Sequence, residues 1–287
     1  HISSQRADPM KLGTLRHDSS TSAVRVDDEF VTEIPGFRDV GALLSREDWR
    51  TVASEPGGWS LPLVGIVGEQ WAPVIPQPRK IVCVGLNYRN HILEMGRELP
   101  EHPTLFAKYP DALIGAFDDI ALPRGADQAV DWEGELAVIV GSRVRRASRE
   151  QAASAIAGFA VLNDVTMRDF QYRTPEWFQG KTFEATTPFG PYLVTPDEFG
   201  SDRELRTEVD GELMQVTNTD DLVFDPAALA SYISQIFPLG PGDVIASGTP
   251  GGVGHARKPP RYLQVGSELV TSIESLGVQR NRIVAEP

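Results

Sequence analysis

Short apolar runs recur along the chain, and they are punctuated by Gly and Pro turns rather than by long helical repeats. Ile81–Gly85, Leu136–Gly141, Phe159–Leu162, Tyr192–Thr195, Asp243–Ser247 and Glu268–Ile273 read as strands. Helical patterns are fewer. Ser148 with Gln151 forms a capping box opening a helix to about Ile156. Asp225 then Pro226 supplies an N-cap and a first helical position for a helix to about Gln235. Residues 39–53 have room for one or two short helices. Mostly strands with few helices predict a β-rich α+β fold rather than a regular βαβ array.

The pattern also divides the chain. Residues 1–9 read as a leader, with Met10 as a natural start. Residues 10–71 read as a small N-terminal domain, and 72–78, with prolines at 73, 76 and 78, as an extended linker. Residues 79–287 carry the chemistry.

Composition narrows the function classes. Among 287 residues, 41% are hydrophobic and 23% charged, as in ordinary globular proteins. The net charge of −13 argues against nucleic acid and anionic membranes as partners. No apolar run approaches the ~18 residues of a membrane span, so a cytoplasmic location is the default. The one cysteine, Cys83, excludes an intrachain disulfide and sits in an apolar run, as a buried small hydrophobe would.

Candidate chemistry is grouped. Asp131-Trp132-Glu133-Gly134-Glu135 runs straight into the Leu136 strand. If the strand reaches back that far, its period of two puts Glu133 and Glu135 on one face. Like charges side by side near a core call for a cation between them. Asp164, at the end of another apolar run, adds a third carboxylate. Three oxygen ligands suit Mg²⁺ or Mn²⁺ better than Zn²⁺, although a Glu-x-Glu at a strand start is most often a solvated edge. His91 and Glu94, three apart on a short helical segment, share a face, as a carboxylate-oriented base requires. Lys108 and Lys181 can each hold a carboxylate or an enolate oxygen. If residues 164–171 are helical, Asp164, Arg168 and Gln171 share a face, so that Arg168 steadies Asp164 or meets substrate. The glycine-rich loop 248–254 lacks the Lys-Ser/Thr of a nucleotide loop and allows close approach to a small anion, with Thr249 offering hydroxyl and amide.

Taken together, these segments resemble the fumarylacetoacetate hydrolase family. The motifs are Gly-Leu-Asn-Tyr-x-x-His-x-x-Glu at 85–94, Phe-x-Lys at 106–108, Glu-Gly-Glu-Leu-Ala at 133–137, Asn-Asp-Val-Thr-x-Arg-Asp-x-Gln at 163–171, Gly-Lys-Thr-Phe at 180–183, Pro-Phe-Gly-Pro at 188–191 and the loop at 241–254. The resemblance implies a mixed β-roll catalytic domain behind a small N-terminal domain, in a homodimer. It implies Mg²⁺ or Mn²⁺ on Glu133, Glu135 and Asp164, and His91 with Glu94 as a water-activating pair on a lid. Lys181 would meet the developing enolate, and Lys108, Arg168, Gln171 and Thr249 would bind substrate.

His and Glu three apart resemble the acylpyruvase-like branch. That branch implies hydrolysis of a C–C bond in a 2,4-dioxo acid such as fumarylpyruvate, releasing pyruvate, in aromatic-compound catabolism. Oxaloacetate decarboxylation and isomerisation of a 2-hydroxyhepta-2,4-diene-1,7-dioate or 5-carboxymethyl-2-hydroxymuconate are the alternatives on the same enolate. A non-catalytic metal-dependent binding protein is a remote one. Glu184-Ala185-Thr186-Thr187 departs from the family's usual Asp-x-aromatic-Cys, which points to a wall shaping substrate choice.

Overall fold

The computed structural model describes residues 9–287, so the leader read at 1–9 lies, except for Pro9, outside the described residues. A ten-stranded sheet dominates the fold. Its order is Ser60–Pro62, Phe30–Glu33, Ser20–Val26, Lys11–His17, Tyr192–Val194, Ile156–Asn163, Gly134–Val140, Val244–Ala246, Ile81–Gly85 and Thr104–Lys108. A five-stranded sheet runs Glu212–Asn218, Glu204–Val209, Glu268–Ile273, Gly277–Ala285 and Ile120–Leu122. The β-rich α+β expectation holds.

The strand Gly134–Val140 shows why the sequence folds this way. It pairs antiparallel with Ile156–Asn163 on one side and with Val244–Ala246 on the other. Every residue of it is buried, which explains an apolar run without polar alternation. Its alternate side chains enter two different cores. Ala137 and Ile139 join Cys83, Leu162, Ala246 and the N-terminal residues Leu12, Leu43 and Trp49. Leu136, Val138 and Val140 join Phe159, Val161, Leu229 and Ile233 on the opposite face. Glu135 therefore shares a face with Ala137 and Ile139.

The N-terminal residues are built into the main sheet. Lys11 to Gly13 pair antiparallel with Val194 to Tyr192. Residues 72–78, read as an extended linker, hold no helix or strand and are largely buried. Val74 donates to Phe189 O at 3.2 Å and accepts from Thr14 Oγ1 at 2.8 Å, because an unpaired backbone group in that position would be costly.

The capped helices form where the sequence places their starts. Ser148 and Gln151 exchange both capping bonds, but the helix spans only Arg149–Ser154. Ile156, read as its end, begins the next strand, because Gly141 N and Ser142 N both bond Ala155 O and pull the chain into the sheet. Pro226–Ile236 follows its Asp225 cap. Residues 39–53 hold two short helices, Val40–Leu44 and Trp49–Ser54. Among the described residues no helix is long and apolar enough to cross a membrane.

Candidate active site

Three carboxylates meet where the two central strands end. One oxygen from each of Glu133, Glu135 and Asp164 lies within 4.8 Å of the others, and all three residues are buried. The backbone fixes them. Glu133 N donates to Asn163 Oδ1 at 2.9 Å, and Asp164 N donates to Glu133 O at 2.9 Å. Gly134 between the two glutamates leaves no room for a side chain, since a Cβ there would stand 2.5 Å from Thr207 Oγ1.

Cations surround the cluster. Lys181 Nζ lies 2.8 Å from Glu133 Oε2 and 3.1 Å from Asp164 Oδ2, and it donates to Thr166 Oγ1 at 2.8 Å. Burial opposes its charge, but Asp164 and Glu133 outweigh this and hold the ammonium pKa above the usual lysine value. Lys108 Nζ sits 2.8 Å from Asp164 Oδ1 and also donates to Lys181 O and to Thr187 Oγ1. Burial would raise the Asp164 pKa, yet the two lysines keep it below the ordinary carboxylate value. For Glu135 the help of the two lysines is outweighed. Burial, then the charges of Asp164 and Glu133, push its pKa well up, and its Oε2 has no hydrogen-bond partner among the described residues. A buried orphan oxygen facing two carboxylates is the position a divalent cation would fill. The all-oxygen donor set fits Mg²⁺ or Mn²⁺.

A second layer holds the first. Arg168 lies 2.9 Å from both Asp131 Oδ2 and Glu133 Oε1, and donates to Gln171 Oε1 at 2.8 Å. Burial disfavours its charge, but Glu133 and Asp131 keep the guanidinium pKa raised. Asp131 also accepts from Gly254 N at 2.7 Å and His255 N at 2.9 Å, tying the glycine-rich loop through Arg168 to the carboxylate cluster. Gln215 Nε2 donates to Thr249 Oγ1 at 2.9 Å and Pro250 O at 3.1 Å, while its Oε1 accepts from Gly134 N at 3.0 Å. Asp131 and Gln215 carry no assigned role in the sequence reading. Nothing short of the fold reveals Gln215, whose partners lie 34 to 81 residues away.

Above the cluster opens a cavity of about 340 Å³, lined among others by Glu133, Lys181, Arg168, Gln171, His91 and Thr249. Six of the sequence-derived residues thus face one space. Others stand differently. Residues 164–171 are not one helix: Thr166–Met167 pairs with Val130–Asp131, and only Arg168–Gln171 is helical. Arg168 consequently grips Asp131 and Glu133, not Asp164. Lys108 is sealed beneath Asp164 and does not line the cavity. Thr249 reaches the cavity, but its hydroxyl donates to Gly134 O at 2.9 Å. Thr186 and Thr187, read as part of a substrate wall, are fully buried away from it.

His91 lies on the helix Arg89–Glu94 and packs on the loop where a Cβ at Gly251 would stand 2.8 Å from its Nδ1. Burial lowers the imidazole pKa, with Glu94 opposing and Arg97 assisting. Glu94 is exposed, and among the described residues no hydrogen bond joins it to His91.

Comparisons with known proteins place this β-rich fold in one family. The model of the C-terminal region of fumarylacetoacetate (FAA) hydrolase matches residues 80–284, and the chain belongs to the fumarylacetoacetate hydrolase family. It is 44% identical over 217 residues to a mitochondrial oxaloacetate tautomerase of Bos taurus, covering 74% of this chain and 68% of that one. It is 40% identical over 253 residues to the 2,4-didehydro-3-deoxy-L-rhamnonate hydrolase of a Sphingomonas species, covering 86% and 88%. The solved fumarylacetoacetate hydrolase of Exiguobacterium antarcticum superposes with a TM-score of 0.86 at 32% identity, over 96% of this chain and all of that one. The default of a cytoplasmic location is overturned, because the matched tautomerases of Bos taurus and Homo sapiens are mitochondrial proteins and a missing membrane span specifies no compartment.

Proposed function

We propose that the protein is a divalent-metal-dependent enzyme that interconverts the keto and enol forms of a small 2-oxo dicarboxylic acid of the oxaloacetate type. The observation that carries this reading is an imidazole with no side-chain hydrogen bond among the described residues. His91 faces the cavity above the carboxylate cluster, while Glu94, the partner a water-activating pair needs, points to solvent without bonding it. Enolisation needs a base for a carbon-bound proton and stabilisation of the oxygen charge that develops, but no oriented water. The 44% identity to an oxaloacetate tautomerase supports the same choice. Cleavage of acylpyruvates, the reaction the acylpyruvase-like motif suggests, is the second reading, favoured by the long match to the rhamnonate-type hydrolase.

Glu133, Glu135 and Asp164 would hold the cation, which when bound polarises a chelated 2-oxo group. The chain's own residues do the rest. Lys181, kept protonated by its two carboxylates, adds positive charge beside the site where oxygen charge develops. His91, kept neutral near pH 7 by burial, takes the proton from the carbon next to the oxo group. Its return to oxygen or carbon completes the shift with no net consumption of water.

The test follows oxaloacetate enol absorbance with chelator-stripped protein and with Mg²⁺ or Mn²⁺ restored. The expected outcome is metal-dependent decay of the enol with neither pyruvate nor CO₂ formed, and its loss in His91→Gln. Pyruvate from oxaloacetate would replace this reading with decarboxylation, and pyruvate from an acylpyruvate alone would replace it with hydrolysis.

A further inference from the structure

We infer that Arg97 binds the second carboxylate of the substrate and so makes the cavity selective for dicarboxylic over monocarboxylic 2-oxo acids. This rests on the keto–enol reading above and adds to it the residue that sets substrate class.

Arg97 lines the same cavity as Glu133, Lys181 and His91. The other cations there are committed. Lys181 and Arg168 are locked to Glu133, Asp164 and Asp131, and the His255 ring meets the Tyr262 hydroxyl at 2.8 Å. Arg97 has no side-chain hydrogen bond or ion pair among the described residues.

The charges leave it a task. Four carboxylates, Asp131, Glu133, Glu135 and Asp164, face three cations, Lys108, Lys181 and Arg168. With Glu135 ionised, as a bound cation would require, one negative charge remains. A divalent cation turns that into one positive charge, and the chelating carboxylate of a 2-oxo acid cancels it. A second carboxylate would then enter the cavity without a counter-charge unless Arg97, whose side chain is exposed, supplied one. An arginine fork is suited to that work, offering paired N–H donors to a carboxylate.

Its position is built rather than accidental. Gly96, at φ +69°, ends the helix that carries His91 in the left-handed region. Gly96 N then bonds Leu93 O at 2.9 Å, and Arg97 N bonds Ile92 O at 3.2 Å. These two bonds form a Schellman cap, which fixes the Arg97 backbone one residue past the turn. The depressing effect of the Arg97 charge on the His91 imidazole shows that the two side chains share one electrostatic neighbourhood.

The test is calorimetric binding of malate and lactate to the Mn²⁺-loaded protein, the two ligands sharing a hydroxy-acid chelating end and differing in the distal carboxylate. Wild-type protein should prefer malate by at least about tenfold, the scale of one charge-assisted hydrogen bond. Arg97→Met should erase the preference while leaving lactate affinity unchanged, and Arg97→Lys should retain part of it. No preference in the wild type, or one that survives in Arg97→Met, would overturn the assignment and leave the tautomerase reading to its own assay. An Arg97-dependent malate preference in a protein inert on oxaloacetate enol would sustain the dicarboxylate site and remove the tautomerase reading.

Discussion

Asp131 shows how much one side chain can organise. It is fully buried and accepts from Arg168, Trp132 N, Gly254 N and His255 N. Asp131→Asn exchanges one of its acceptor oxygens for a donor that would face Arg168 or the loop amides. Glu133 then loses the steadying of Arg168. The expected result is a loss of metal affinity of about 10–100-fold, the range seen when groups behind a ligand are changed, with the fold retained. Titration of the stripped variant with Mn²⁺ checks this, and unchanged affinity would mean that Arg168 holds Glu133 unaided. At this scale the sequence is legible in part. Glu133, Glu135 and Asp164 announce themselves because carboxylates embedded in apolar runs need a reason. The split of roles between Lys108 and Lys181 is not legible, because both stand beside apolar residues and only the strand pairing decides which is sealed beneath Asp164.

Elements are legible when they are buried on both faces or strongly capped. The strand at Ile81–Gly85 and the start of the helix at Pro226 coincide with their sequence signals. Glu204–Val209, Glu212–Asn218 and Gly277–Ala285 show no comparable apolar run. They lie in the five-stranded sheet with one face wet, and charged residues interrupt them. Capping is also where an element's stability can be tested. Asp225 Oδ1 accepts from Ala228 N at 2.9 Å and its other oxygen pairs with Arg149. Asp225→Ala should destabilise the protein by about 1 kcal/mol, as lost N-caps do, lowering the melting temperature by roughly 2–4 °C. Partial burial tends to raise the Asp225 pKa, but Arg149 and the helix amide hold it below the usual value. The cap therefore contributes fully above the ordinary aspartate pKa, and its contribution disappears as pH falls through the lowered value. A scan that shows the variant and wild type melting alike at neutral pH would remove this role.

For the whole molecule, the carboxylate cluster would couple binding of a cation to folding. The unfolded chain has no such cluster, so the cation favours the folded state by mass action. Free Mg²⁺ or Mn²⁺ at a hundredfold its dissociation constant should stabilise by about 2.7 kcal/mol and raise the melting temperature by several degrees. Glu135→Gln should melt with little response to metal, and a metal response equal to wild type would place the cation elsewhere. The same geometry has a consequence for how the molecule opens. The ligand-bearing strand is paired on both sides within the widest sheet, whereas His91 rides on a helix of six residues at the protein's surface. Local opening has low cost where few neighbours are lost and approaches the global cost in central strands. Residues 89–94 should therefore exchange their amide hydrogens faster than residues 134–140, and equal protection of the two would remove this difference. On this architecture a bound cation could leave without the fold being lost, because the strand that carries Glu135 is anchored by its neighbours independently of any occupant.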